Sequence, residues 1–198
     1  MLALAVAYPV LAHLSVIWPH PWLQWLALAV LCALPLYGRL RAGRSRAWAL
    51  LLAGLVAAIF IVRGGLGPWL LFLPPVAIPP SLLAVFAGSL RAGEVPMVTR
   101  FALLARGGAL PPDLERYTRR VTVLWVIVLA LLTASAIACA LFTSRATWSL
   151  VTNFIHYLVL GAVFAGEYLY RRVAYSHHGH DGFLRYLRGL GSARPRPP

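Results

Sequence analysis

Glu167 is the residue in this chain most suited to chemistry. It is the only acidic residue in or near an apolar run, and Arg171 and Arg172 follow it closely. A carboxylate inside a membrane is costly unless paired or neutralised, and such groups often bind substrate or carry protons. The spacing to Arg171 equally suits a helix-end salt bridge, four residues apart with the acid first. A second, looser set is His13, Arg63, Asn153 and His156, which fall towards the outer ends of three apolar runs. Two histidines on separate spans are what a b-type haem requires, but a two-haem carrier needs four ligands. The remaining histidines lie in a turn or in the C-terminal tail, so no cofactor is expected. Hydrogen bonding between helices is the favoured use of Asn153 and His156. His177, His178, His180 and Asp181 have metal-ligand types, but the tail offers no fixed partners, so no metal site is expected. The chain has no P-loop, no GxGxxG, no HExxH and no second carboxylate to pair with Glu167.

The elements that must position these groups are membrane spans. Hydrophobic residues make up 61% of the 198 and mean hydropathy is +0.77, while only 12% are charged. A soluble domain of this size needs more polar surface than that. Apolar runs near 2–17, 22–38, 47–62, 69–90, 121–142 and 149–170 predict an all-α, polytopic bundle of about six spans. On this reading 1–172 is the transmembrane domain and 173–198 a basic tail. The first run lacks the basic start and cleavage pattern of a signal peptide, so Met1 to Ile17 is expected to remain as the first helix. Cys32 and Cys139 each fall inside a span and read as small hydrophobes.

Charge supplies the orientation. The net charge is +13, and sixteen of the eighteen arginines lie between runs two and three, between runs four and five, or after run six. Only Arg63 and Arg145 fall at the other ends. The positive-inside rule then predicts an inner-membrane protein with both termini cytoplasmic. Phospholipid headgroups are the expected partners of these arginines, and nucleic acid is not. Trp18, Trp22, Trp48 and Trp69 flank the runs, as headgroup-level anchors do.

Two connections stand out. Pro74-Pro75 and Pro79-Pro80 lie inside the fourth run, and each proline removes a helix donor. A fourth span broken by kinking or unwinding is expected, either re-entrant in its outer half or lining a site with its unpaired carbonyls. The loop 91–120 holds Met97, Val98, Phe101 and Leu104 at roughly helical spacing beside Arg100 and Arg106, which predicts an amphipathic surface helix ended by Gly107-Gly108. Pro111-Pro112-Asp113 then starts a helix, with Asp113 as its expected N-cap, that runs through Arg119-Arg120 into the fifth span. Phe183, Leu184, Leu187 and Leu190 with Arg185 and Arg188 suggest another surface helix in the tail.

Three strings carry a resemblance: Phe86-Ala-Gly-Ser89-Leu90; Leu110-Pro111-Pro112 leading to Tyr117-Thr118-Arg119-Arg120-Val121-Thr122 with Trp125; and Ala165-Gly166-Glu167-Tyr168-Leu169-Tyr170-Arg171. In this order they resemble a family of small bacterial inner-membrane proteins found with aryl-polyene and xanthomonadin-type pigment clusters. The likeness covers about 70–172, and the first three runs match in pattern only. Members are sometimes labelled ketosynthase by context, but this chain has no Cys-His-His condensing layout. It also departs at the fourth run, where Pro74-Pro75 and Pro79 stand in place of a Tyr-Pro and a following Asn. The resemblance implies a helper or scaffold for an aryl-polyene lipid. A small transporter or flippase, or a membrane-embedded acyl- or glycosyl-transfer enzyme, are the alternatives. It further implies that Arg100, Arg106, Arg116, Arg119 and Arg120 face phospholipid, an acidic acyl carrier protein or cytoplasmic biosynthetic enzymes.

Overall fold

A computed structural model of the chain describes residues 1–174. The tail histidines, Asp181 and the helix expected over the tail lie outside the described residues. Within them the chain is all-α. In order come α1 (Leu2–Ile17), α2 (Pro21–Arg41), α3 (Ser45–Arg63), α4 (Gly67–Gly88), α5 (Met97–Arg106), α6 (Pro112–Phe142), α7 (Arg145–Leu150) and α8 (His156–Ala174). A single π-helical turn, Val151–Ile155, joins α7 to α8. Alanine and leucine dominate the long helices, and both lose little freedom on becoming helical.

The helix ends follow from local chemistry. Pro21 occupies the first turn of α2, where its missing N–H costs nothing, and the His20 ring accepts the Trp22 N–H at 3.5 Å. The Ser144 hydroxyl caps α7 through the Thr147 N–H at 3.2 Å. Gly107 closes α5 with φ of +78°, a left-handed conformation that glycine adopts without a Cβ clash. Asp113 is not the N-cap of α6. The helix already starts at Pro112, so Asp113 and Glu115 sit in its first turn, where a carboxylate meets the positive end of the dipole.

The proline-rich fourth run is not broken. Helix α4 is continuous from Gly67 to Gly88, through both Pro-Pro pairs. Each proline cancels one hydrogen bond and leaves the flanking ones intact, and membrane helices tolerate this when a neighbour satisfies the freed carbonyl. The Tyr8 hydroxyl does so at Leu71, donating to its carbonyl at 3.0 Å.

Among the described residues, five helical segments are long and apolar enough to cross a membrane: α2, α3, α4, α6 and the run Arg145–Val173. Apolar α1 is shorter. Helices α3 and α4 leave Leu52, Phe60, Leu73 and Ile78 more than half exposed, which suits a lipid environment and not water. Over the described residues the chain is an all-helical polytopic bundle built for the membrane.

The helices form two compact units. The first comprises 1–78 and 133–158. Here α1 packs on α2 and α2 on α3. Its core holds Tyr8, Ala12, Ala27, Leu28, Ala58 and Leu71. Small residues permit close approach: a Cβ on Gly54 of α3 would lie 3.2 Å from Cys32 Sγ on α2. The second unit comprises 79–132 and 159–174 of the described residues. Its core is Leu114, Tyr117, Val121 and Trp125, with Phe86, Val98, Leu160 and Val163 against it.

Candidate functional site

In the first unit, polar side chains gather around the π-helical turn. Ser149 is fully buried on α7, and its hydroxyl lies 3.1 Å from His13 Nδ1 on α1. Asn153, one helical turn later, donates its amide to the same hydroxyl at 3.1 Å. A serine hydroxyl both accepts and donates, so the set is consistent when Asn153 donates to Ser149 and Ser149 donates to a neutral His13. The His13 ring also meets Phe154 edge-on at 5.2 Å. His156 is buried and its Nε2 lies 2.9 Å from Ser135 Oγ on α6. Trp148 Nε1 donates to the Ala136 carbonyl at 3.0 Å, fixing α7 against α6.

One polar atom stands apart. Asn153 is 3% exposed, and its Oδ1 has no hydrogen-bond partner. Native structures leave few buried acceptors unpaired, and π-helical turns recur at functional sites. Arg63, expected in the same layer, is an exposed residue in the last turn of α3 and takes no part in these hydrogen bonds. His13 and Asn153 therefore meet through Ser149, while His156 pairs with Ser135. One nitrogen of each histidine is engaged by a serine.

In the second unit, Glu167 of α8 has two partners on one carboxylate oxygen. Tyr117 of α6 donates its hydroxyl to Glu167 Oε1 at 3.0 Å, and Arg171 Nε lies 3.7 Å from the same oxygen. The Glu167 side chain is 16% exposed and that of Arg171 38%. Tyr170 stacks on Tyr117 with centroids 5.8 Å apart and planes at 25°. A carboxylate that accepts a phenol hydroxyl and faces a guanidinium has the partners of a structural pair.

Helix α5 is tied down by hydroxyls that the sequence alone does not single out. Ser89 accepts the Met97 N–H at 2.9 Å, and Thr122 accepts the Val98 N–H at 3.2 Å. Thr99 and Thr118 share a hydrogen bond at 2.8 Å, with Thr99 only 1% exposed. Two of the donors that any helix N-terminus leaves over are thus satisfied by α4 and α6. The face of α5 turned inward is therefore the one carrying Thr99. Arg100, Phe101 and Leu104 point outward. Arg106, Arg116, Arg119 and Arg120 are exposed as well. Arg100 is paired with Glu94 and also donates to the Val95 carbonyl at 2.8 Å.

The three strings quoted for the resemblance come together in this unit. Ser89 caps α5, Tyr117 binds Glu167, and Trp125 meets Phe86 at 6.4 Å and Phe164 at 4.5 Å. Among the described residues, no group of three or more His, Cys, Asp or Glu is placed to hold a metal ion. No protein-family model, curated protein or solved structure matches the chain.

Proposed function

We propose that the chain is an integral inner-membrane helper or scaffold for assembly or transfer of an aryl-polyene-type lipid, with six spans and both termini cytoplasmic. The observation that carries this reading is the state of Glu167. Its carboxylate is held by Tyr117 and Arg171, as a structural pair is. Transport through this part of the bundle would draw on a free carboxylate and on open backbone in α4. Glu167 has its partners, and α4 is helical throughout.

The exposed guanidiniums of Arg100, Arg106, Arg116, Arg119 and Arg120 then serve as the contact surface for phospholipid and for an acidic carrier protein or biosynthetic enzyme. Deleting the protein should abolish or reduce total pigment. Intact pigment held at the inner membrane would overturn the helper reading in favour of transport.

The transporter reading keeps one observation of its own, the unpaired Asn153 Oδ1 within the π-helical turn. Polar groups at membrane depth mark substrate or ion paths in many transporters. Export assays on Asn153 variants decide it, because a helper has no use for that acceptor.

A further inference from the structure

The end of α4 and the start of α5 enclose an open cleft of about 260 Å³. Ala84 and Val85 form one wall, from the apolar end of α4. Ser89, Arg91, Glu94 and Arg100 line the remainder. The volume falls just below the roughly 300–1,000 Å³ of pockets that enclose a drug-sized molecule. It suits a small charged group whose remaining atoms lie outside.

The surface outside the cleft is apolar. Leu82, Val85 and Val95 are each more than two-fifths exposed beside the cleft, and Phe101 and Leu104 are exposed on α5. A ligand seated here meets guanidiniums with one end and hydrocarbon with the other. That is the chemistry of a phospholipid.

We infer that this cleft is a binding site for the phosphate of an anionic phospholipid, with Arg91 and Arg100 as its ligands and an acyl chain lying along Leu82 and Val85. Arg91 and Arg100 outweigh Glu94 by one positive charge, so the cleft favours an anion. Guanidinium is well matched to phosphate oxygens, which it grips with two parallel N–H donors. Glu94 is the built-in competitor. It holds Arg100 when no lipid is present and must yield it when a phosphate enters. The site therefore selects a net anion over a zwitterion, whose own cationic group leaves no excess charge for the second arginine. The inference depends on membrane embedding and not on the pigment reading, so either can fail alone.

The test uses the full chain in detergent, titrated with dioleoylphosphatidylglycerol or dioleoylphosphatidylcholine and read by native mass spectrometry. Phosphatidylglycerol should be retained in preference to phosphatidylcholine. Arg91→Gln and Arg100→Gln should each weaken it about fivefold, the factor expected for one arginine at an anionic membrane surface. Glu94→Gln should strengthen it by about two- to fivefold, by the same charge argument. A gain of binding cannot arise from misfolding, so this variant keeps the test decisive. Arg63→Gln, in the exposed last turn of α3 and not among the residues that line the cleft, should leave binding unchanged. Equal retention of the two lipids, or an equal loss in Arg63→Gln, would overturn the site. So would displacement of the lipid by millimolar inorganic phosphate, which would assign the cleft to a soluble anion instead.

Discussion

The Tyr8 hydroxyl donates to the Leu71 carbonyl at 3.0 Å, and Leu71 is the residue whose helical donor Pro75 removes. The two facts complete each other. Pro75 frees an acceptor at membrane depth, and α1 delivers a phenol to it from a core position that is 4% exposed. Water does not reach such a site, so a neighbouring side chain must satisfy the carbonyl.

Tyr8→Phe should therefore destabilise the first unit by about 1–3 kcal/mol, the cost of stranding a buried acceptor. The double variant with Pro75→Ala should recover much of that loss, because alanine restores the amide that α4 lacks. Unfolding in mixed detergent across the four proteins of the cycle measures the coupling. Additive effects would show that Tyr8 does not serve this carbonyl.

Asn153→Leu removes an acceptor that has no partner and keeps a side chain of similar size. Ser149 retains His13 as its other partner. Stability should hold within about 1 kcal/mol, since the lost amide bond to Ser149 is offset by removal of the unpaired buried Oδ1. Pigment output and localisation should be unchanged. Export lost at normal stability would turn the assignment towards transport.

Thr122→Val should loosen α5. The hydroxyl that accepts the Val98 N–H disappears, while the volume at a fully buried position is retained. The expected cost is about 1 kcal/mol, as for other lost caps. Hydrogen exchange should accelerate at Val98 more than at mid-helix amides of α6. Uniform protection in both proteins would mean that α5 is held by its apolar contacts alone.

These side chains mark where sequence reading stops. The boundaries of α1 to α4 lie within a few residues of the apolar runs, because chain length and charge dictate them. The turn at Gly107-Gly108 and the continuous α6 were legible from backbone chemistry. The integrity of α4 was not, and the group that satisfies the carbonyl freed by Pro75 sits on α1, 63 residues away. Ser149 carried a usable signal, standing four residues before Asn153 on one helix. Tyr117, Ser135 and Thr122 carried none, since their partners come from other helices or from backbone far along the chain. Glu167 shows both sides. Its pairing with Arg171 follows from helical spacing, whereas the Tyr117 hydroxyl emerges only when α6 and α8 are packed.

Orientation is tested by reporter fusions. Fusions after Arg44, after Gly108 and at the C-terminus should read cytoplasmic, and fusions at Pro19 and Gly67 periplasmic, as the arginine asymmetry requires. The unbroken α4 makes the result at Gly108 the informative one. A periplasmic signal there would mean that α4 does not cross the membrane.

Glu167 separates a structural pair from a working carboxylate. Glu167→Gln keeps an oxygen to accept the Tyr117 hydroxyl and loses only the charge facing Arg171, which is 38% exposed. The stability cost should be about 0.2–1 kcal/mol, the range for solvent-screened ion pairs. Protein level and pigment output should both stay normal. Glu167→Leu strands the phenol as well, and should cost about 1–3 kcal/mol with reduced abundance. A blot beside a pigment assay reads both quantities in the same cells. Normal abundance of Glu167→Gln with no pigment would mean that the charge itself works, and would overturn the structural role. Falling abundance and pigment together in Glu167→Leu, with Glu167→Gln unaffected, would establish that Tyr117 needs an acceptor and that the chemistry lies elsewhere.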